Sequence, residues 1–296
     1  MSKLVVCCSF IFLLVGSAAA DTRDNLLVTP AWLAAHLNDA KLVLLHIGPK
    51  QGYDGGHIPG ARFVELADVL TSDAGLALEM PPAEMLRERL SRLGISNDSQ
   101  VVVYFGSGWI SPATRLVLTL DYAGIDNVRL LDGGLAAWNE QKLPLTSDPS
   151  LQKTGTLAAL KLRPITVTAG QVQAALGTPG SVVIDARTAA FYDGISTGGG
   201  ADRPHKTGHI AGARSLSYLT LYSSTGALKS ADELAKLFAD AGVKTGDTII
   251  GYCHIGQQAT AMLFAARTVG YRVLLYDGSF EDWSRRDLPV ESNVRK

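Results

Sequence analysis

The first half of the sequence returns in the second half, and this duplication constrains the fold more than any other feature. Three segments recur in the same order about 150 residues later: GHIPGAR (56–62) as GHIAGAR (208–214), the run ending in Tyr104 as the run ending in Tyr252, and DGG (132–134) as DGS (277–279). A period of that size is a whole domain, far longer than the roughly 20–50 residues of a solenoid unit. The chain is therefore predicted to form two similar domains in tandem.

Both halves alternate short apolar runs with amphipathic segments. In the first half the pattern predicts strands at 41–47, 100–104 and 128–131, and helices starting at Pro30 and spanning 83–93 and 113–123. In the second half it predicts strands at 181–184, 248–252 and 272–276, and helices at 169–176, 231–241 and 259–269. Continuous apolar strands separated by helices are typical of a buried parallel sheet. We expect an α/β fold of two tandem domains, each a parallel sheet flanked by helices on both faces.

Residues 1–20 have the layout of a secretory signal peptide. Lys3 precedes an apolar run of twelve residues, 4–15, and the small residues 17–20 offer a cleavage site. Twelve residues are too few to span a bilayer, which needs about 20, although an uncleaved N-terminal anchor is the alternative. We predict an exported protein with no membrane span after cleavage, periplasmic in a host with two membranes and secreted otherwise.

The two copies also suggest the domain boundaries. We assign 21–147 to a first domain, 148–164 to a linker and 165–296 to a second domain. The chain has 27 basic and 28 acidic residues, a formal net charge of −1. Proteins that bind nucleic acid or an anionic membrane usually carry a surplus of basic residues. This chain has no such surplus, so neither partner is expected.

Cys253 is the single cysteine that remains once Cys7 and Cys8 leave with the signal peptide. The mature chain therefore cannot form an internal disulfide. Exported proteins usually meet an oxidising environment, where a lone thiol is either buried and inert or kept for its reactivity. The surrounding sequence has to decide between these two interpretations.

Cys253 directly follows the predicted strand 248–252 and precedes the loop 254–258, which ends at a helix. Ligands of parallel sheets bind beyond the carboxyl ends of the strands. Backbone N–H groups and the positive end of the helix would favour a thiolate there. Because reactive cysteines lie in electropositive, partly exposed surroundings, we expect such surroundings for Cys253. A buried structural cysteine is the alternative.

Two other motifs give weaker indications of function. The glycines at 198–200 lack the Gly-Lys-Ser/Thr of a phosphate-binding loop. His205 and His209 are four residues apart but lie in a predicted loop, so no metal site is expected, and no cofactor is predicted.

These residues resemble a tandem-domain rhodanese, a sulfurtransferase. The resemblance covers nearly all of the mature chain and rests on the paired GHIxGA segments, the strand end Asp185-Ala186-Arg187, the loop CHIGQQAT (253–260) and the closing DGG and DGS segments with Trp138 and Trp283. It implies that Cys253, in the second domain, is the catalytic nucleophile and becomes a persulfide. It also implies a small anionic sulfur donor and a thiophilic acceptor such as cyanide; the oligomeric state is left open.

The same resemblance implies the substrate-binding residues. The loop residues are His254, Ile255, Gly256, Gln257 and Gln258, whose backbone N–H groups would stabilise thiolate and persulfide. Arg187 would bind the anionic end of the donor, as a planar fork suits its oxygens, with an ion pair to Asp185 as the alternative.

The first copy lacks the chemistry at each equivalent position. Phe105 stands in the place of Cys253, Gly48 in that of Arg187 and His46 in that of Asp185. We expect the first domain to close the cleft, and Trp109 to add an aromatic wall. His57 and His209 occupy equivalent places in both copies, so we interpret both as structural.

Two alternatives concern the reaction. A phosphatase family of this fold needs Cys-x5-Arg, but Ala259 stands six positions beyond Cys253, which argues against phosphatase chemistry. A partly charged His254 favours dianionic thiosulfate over 3-mercaptopyruvate. A 3-mercaptopyruvate sulfurtransferase and a persulfide carrier that loads once for an exported partner remain open.

Overall fold

The computed structural model describes residues 23–106, 109–150, 153–200 and 203–294; the predicted signal peptide lies outside this part of the chain. The helices of the first half are α1 (Arg23–Leu26), α2 (Pro30–His36), α3 (Lys50–Gly55), α4 (Leu66–Val69), α5 (Ala83–Arg92), α6 (Ser111–Tyr122) and α7 (Gly134–Glu140). Its strands are β1 (Leu27–Val28), β2 (Leu42–Ile47), β3 (Arg62–Val64), β4 (Thr71–Asp73), β5 (Leu76–Glu79), β6 (Gln100–Phe105) and β7 (Val128–Leu131).

The second half repeats this series with an added hairpin. Its helices are α8 (Ala169–Ala175), α9 (Ala189–Tyr192), α10 (Ala231–Asp240), α11 (Gln258–Thr268) and α12 (Ser279–Ser284), with a 3₁₀ turn at Tyr218–Leu221. Its strands are β8 (Thr166–Val167), β9 (Ser181–Asp185), β10 (Gly199–Gly200), β11 (Arg203–Pro204), β12 (His209–Ile210), β13 (Arg214–Ser215), β14 (Thr248–Tyr252), β15 (Arg272–Tyr276) and β16 (Val290–Glu291).

Two parallel five-stranded sheets organise the molecule. The first has the order β1-β7-β6-β2-β3, and the second has the equivalent order β8-β15-β14-β9-β13. Three antiparallel pairs lie outside them, β4–β5, β10–β11 and β12–β16. The predicted α/β fold is confirmed, and each predicted helix and strand is found within a few residues of its predicted bounds.

One apolar core is shared by both domains. It contains Leu45 and Leu116 of the first half and Ile249 and Leu263 of the second, which join through the packing of α6 against α11. A separate core covers the outer face of each sheet, around Trp138 in the first domain and around Trp283 in the second. Burial of apolar side chains on both faces explains why the strand sequences are continuously apolar.

The duplication extends to individual hydrogen bonds. Four of them form two equivalent pairs: Ile58 N–H to Tyr104 Oη and Ile210 N–H to Tyr252 Oη, both 3.1 Å, and Trp138 Nε1 to Pro144 O and Trp283 Nε1 to Pro289 O, both 3.0 Å. His57 and His209 each contact a backbone carbonyl through Nδ1 and stack on the tyrosine that carries it, Tyr53 or Tyr192. Both histidines thus hold loops, in keeping with a structural role.

Each domain extends a hairpin to the aspartate of the other domain's repeated DG segment. Beyond β4–β5 of the first domain, Met80 N–H donates to Asp277 Oδ2 at 3.0 Å. In the second domain, Leu228 N–H donates to Asp132 Oδ1 at 2.8 Å. This reciprocal exchange, together with the shared core, fixes one domain against the other.

The segment predicted as a linker lies along the first domain. Gly155 N–H donates to Ser91 O at 2.8 Å, and the Arg163 guanidinium pairs with Asp121 and Asp126. Across the described ranges, no helix is long and apolar enough to cross a membrane.

We expect the buried His46 to make the first domain sensitive to acid. Its ring is fully buried, and neither ring nitrogen has a hydrogen-bond partner within the described residues. Burial, and secondarily His57, lower its pKa to about 4. Below an unfolded pKa of about 6.5, only the unfolded state binds the proton, so stability falls as the pH drops towards 4.

We predict that His46→Leu removes this acid sensitivity. The wild type should lose about 3 kcal/mol more unfolding free energy than the variant between pH 7 and pH 4. Denaturant unfolding of both proteins across this pH range measures the difference. Identical pH dependence would show that His46 does not titrate on unfolding.

Candidate active site

Cys253 follows β14 at the carboxyl edge of the second sheet, beside the end of β9, where Asp185 pairs in register with Tyr252. Its side chain is 0% exposed, so the expectation of a partly exposed thiol is wrong. The reason is that Cys253 belongs to the apolar core shared by the two domains. A reactant must therefore displace a covering side chain before it reaches the sulfur.

The carbonyl oxygens of the loop after Cys253 accept hydrogen bonds from groups outside the loop. Three such bonds are Phe280 N–H to Cys253 O (3.0 Å), Glu281 N–H to His254 O (3.0 Å) and Arg115 Nη1 to Gly256 O (3.2 Å). In a trans peptide the C=O and the next N–H point in opposite directions. The N–H groups of His254, Ile255 and Gln257 consequently point away from those donors.

These N–H groups remain available to a ligand. Within the described residues, the backbone N–H groups of 254–257 have no hydrogen-bond acceptor. Gly256 has φ +75, a conformation that residues with a side chain rarely adopt. Consecutive N–H groups in such a turn, next to the N-terminus of α11, form a concavity that binds anions.

His254 does not carry the charge expected from the sequence. Burial, then Arg187 and His205, lower its pKa to about 3, so the imidazole is neutral at physiological pH. Its ring packs edge-on against Phe191, with centroids 4.5 Å apart, and its Nδ1 lies 3.4 Å from Nδ1 of His205. The electrostatic argument for dianionic thiosulfate from a partly charged His254 is therefore wrong.

Arg187 is held by an acid of its own strand end. Its Nε and Nη2 donate to the Asp185 carboxylate at 2.6–3.1 Å, and Nη2 also donates to Gly208 O at 2.7 Å. Burial lowers the pKa of Arg187, but Asp185, with a smaller contribution from Tyr252 and Cys253, raises it overall. The ion pair is thus formed, and the guanidinium lies close enough to Cys253 to influence it electrostatically.

The remaining predicted site residues surround the loop. Trp109 of the first domain is 53% exposed and its side chain lies near Tyr218, whose pKa is raised by burial and by the nearby Cys253 and lowered by Trp109, with a net increase. Gln257 Nε2 donates to Ser111 Oγ at 3.1 Å. Gln258 begins α11, and its Oε1 is buried with no donor among the described residues.

A cavity of about 350 Å³ adjoins the outer side of the loop. It is lined by Ile255 and His254, by His205, by the β10–β11 glycines and by Arg203, which pairs with Glu281 at 3.5 Å. Glu281 also pairs with Arg285 at 3.0 Å, so two guanidinium groups share this carboxylate, and both histidines have lowered pKa values.

Sequence reasoning missed residues that act on the loop from elsewhere. Ser279 Oγ accepts from Cys253 N–H at 3.2 Å and donates to Tyr276 O at 2.9 Å. Ser279 has φ +51, at the place where the first copy has Gly134 with φ +53. That replacement of glycine by serine in a repeated motif was the one visible signal. Arg115 gave none, since a single arginine on an amphipathic helix suggests a solvent-facing position.

A family model described as the rhodanese-like domain matches residues 29–141 and again residues 168–286. The chain is 30% identical to 3-mercaptopyruvate sulfurtransferase of Escherichia coli, covering 88% of this chain and 95% of the relative. It is 29% identical to thiosulfate sulfurtransferase of Azotobacter vinelandii, covering 90% and 97%.

Solved structures agree with the sequence comparisons. The crystal structure of SseA from Escherichia coli, described as a 3-mercaptopyruvate sulfotransferase with the rhodanese fold, superposes with a TM-score of 0.75 at 29% identity. The match covers 86% of this chain and 98% of that structure.

We predict that the His254 imidazole stays neutral from pH 5 to pH 8. Its lowered pKa of about 3 places its titration below that range. NMR of the ring nuclei should show constant shifts in the folded protein, whereas urea-unfolded chain titrates near 6.5. A folded-state transition between pH 6 and 7 would restore the charged histidine and contradict the site described above.

Proposed function

The chain belongs to the rhodanese family and has the general activity of a sulfurtransferase, and we propose that it carries the transferred sulfur as a persulfide on Cys253. One observation carries this proposal. The loop after Cys253 turns its carbonyl groups to outside donors and, in the part of the chain that the structure describes, leaves the N–H groups of 254–257 without acceptors. Those N–H groups would stabilise a thiolate before transfer and a persulfide anion after it.

The reaction consists of two displacements at sulfur. The Cys253 thiolate attacks the outer sulfur of the donor, and the new S–S bond forms as the donor's own bond to that sulfur breaks. With thiosulfate, the bonding electrons leave with sulfite. An acceptor such as cyanide then attacks the outer sulfur of the persulfide, which yields thiocyanate and restores the thiolate.

Burial favours this chemistry over oxidation. Cys253 is fully buried, so solvent oxidants reach it less readily than they reach an exposed thiolate. Low local polarity also strengthens the attraction between the N–H groups and an anionic sulfur. The donor therefore has to open a path to the sulfur. We propose that this path opens where Trp109 lies beside Tyr218, at the boundary between the domains.

Thiosulfate and 3-mercaptopyruvate are the two donors that we propose. Thiosulfate, named for the relative from Azotobacter vinelandii, is the donor expected from the sequence. A separate observation favours 3-mercaptopyruvate, which carries one carboxylate. His254 is neutral and Arg187 is paired with Asp185, so the site offers little charge to a dianion. A persulfide carrier would have the same site but would turn over only with its partner.

We predict that the protein forms thiocyanate from either donor plus cyanide, and that Cys253→Ser lowers kcat by about a thousandfold or more. Thiocyanate is measured for residues 21–296 of wild type and variant, with each donor in turn. Thr178→Ala serves as the control, because it removes an exposed hydroxyl before the amino end of β9, at the edge of the sheet opposite to Cys253. Equal activity of wild type and Cys253→Ser would refute the persulfide mechanism.

The same assay separates the alternatives. If the wild type turns over with one of the two donors and not with the other, that result identifies the donor. Loading of Cys253 without repeated turnover on cyanide would indicate the carrier.

A further inference from the structure

We propose that Arg115, in the domain that lacks the nucleophile, is a positioning residue for sulfur transfer because it orients the Gly256–Gln257 peptide of the Cys253 loop. Its role in transfer rests on the proposed function, whereas its effect on the loop does not. The proposal follows from three observations on the contact between α6 and the loop.

The first observation is that one face of α6 contacts the loop and the first turn of α11. Three residues at positions i, i+3 and i+4 make the contacts, which are Ser111 Oγ with Gln257 Nε2 (3.1 Å), Thr114 Oγ1 with Thr260 Oγ1 (2.9 Å) and Arg115 Nη1 with Gly256 O (3.2 Å). Arg115 is the member of this face that bonds the loop backbone between Cys253 and the start of α11.

The second observation is that Arg115 is itself held in place. Its side chain is 0% exposed, and Nη2 donates to Asp277 Oδ1 at 2.6 Å and to Leu78 O. Asp277 in turn accepts from Met80 N–H at 3.0 Å. A planar guanidinium bonded on one side fixes the direction of its remaining N–H groups, which is how Nη1 reaches Gly256.

The third observation is the confined position of Gly256. A Cβ atom there would lie 2.7 Å from Asp277 O and 3.1 Å from Arg115 Nη1. The peptide cannot rotate without losing the bond from Arg115 to its carbonyl. Because C=O and N–H of one trans peptide are opposed, holding the Gly256 carbonyl on Arg115 directs the Gln257 N–H to the other side.

Arg115 also contributes charge. Its cation faces Asp277, and Glu79 lies close to both. Burial, with Asp277 as a secondary cause, raises the pKa of Glu79 to about 7, so near neutrality Glu79 is a weak counter-charge. Because Asp277 pairs with this guanidinium, its charge adds only a small part to the field of the N–H groups at the loop.

The competing explanation is that Arg115 merely joins the two domains, and Arg23 provides the control. On the equivalent contact between the domains, Arg23 pairs with Asp132 at 3.5 Å and donates to Lys229 O at 2.7 Å and Leu228 O at 3.1 Å. It contacts the hairpin as Arg115 contacts Leu78, but it makes no hydrogen bond to residues 253–258. Arg23→Met should therefore weaken the interface without disturbing the loop.

The test compares Arg115→Met, Arg115→Lys and Arg23→Met in residues 21–296. Two assays are run: one gives the rate of Cys253 alkylation by iodoacetamide from pH 5 to pH 10, and the other gives kcat and KM for sulfur transfer. Melting temperatures confirm that each variant folds. Arg115→Lys keeps a cation and one donor, so it remains informative if Arg115→Met does not fold.

We expect Arg115→Met to slow alkylation at pH 7 about tenfold, to move its pH midpoint upwards, and to lower kcat about tenfold with a smaller change in KM. Arg115→Lys should recover part of both losses, and Arg23→Met should match the wild type in both. Wild-type values for Arg115→Met, or equal losses in Arg23→Met, would overturn the proposal. If the wild type transfers no sulfur, the proposed function fails, and the alkylation profiles alone decide the role of Arg115.

Discussion

The orientation of a few peptide groups after Cys253 is the constraint on which the rest of this molecule depends. A backbone turn can present N–H groups to an anion only if its carbonyl groups are bonded elsewhere. Here the donors come from two directions: the start of α12 in the same domain, and Arg115 on α6 of the other domain. Neither domain alone supplies both. The interface between the copies is accordingly part of the site, which gives the first domain a reason to persist without a nucleophile.

The burial of the Cys253 thiol is accompanied by the pairing of charged groups around it. Arg187 is paired with Asp185 and Arg115 with Asp277, and the Glu281 carboxylate is shared by Arg203 and Arg285. His254 stays neutral because burial and Arg187 oppose its protonation. The backbone N–H groups of 254–257 are the groups that we propose to act on the sulfur. They can stabilise an anion that forms and disappears during each cycle without binding a charged donor too tightly for release.

Sequence reasoning recovered the fold because its signals are local and repeated. Apolar runs such as 248–252 and a capping residue such as Thr29 act through the nearest few residues, and the duplication supplied an independent check of the topology. The position of Cys253 after a strand could be predicted for the same reason. Its burial could not, because Cys253 belongs to an apolar core that joins residues of both domains.

The errors concern electrostatics and long-range contacts. The charge of His254 depends on Arg187, 67 positions earlier in the chain, and on burial, neither of which is visible in the residues next to it. Arg115 contacts Gly256 from the other domain, 141 positions earlier in the chain. Only the packing of α6 on α11 reveals that contact. Motifs predict the nucleophile, whereas the groups that contact its loop are set by how the two copies pack.

Intact-protein mass spectrometry after donor treatment tests the central claim most directly. Wild type and Cys253→Ser are each incubated with thiosulfate and, separately, with 3-mercaptopyruvate, without acceptor, and then with cyanide. The account predicts that the wild type gains the mass of one sulfur atom, that cyanide removes it, and that the variant gains none. No gain with either donor, or an equal gain in the variant, would contradict Cys253 as the sulfur carrier.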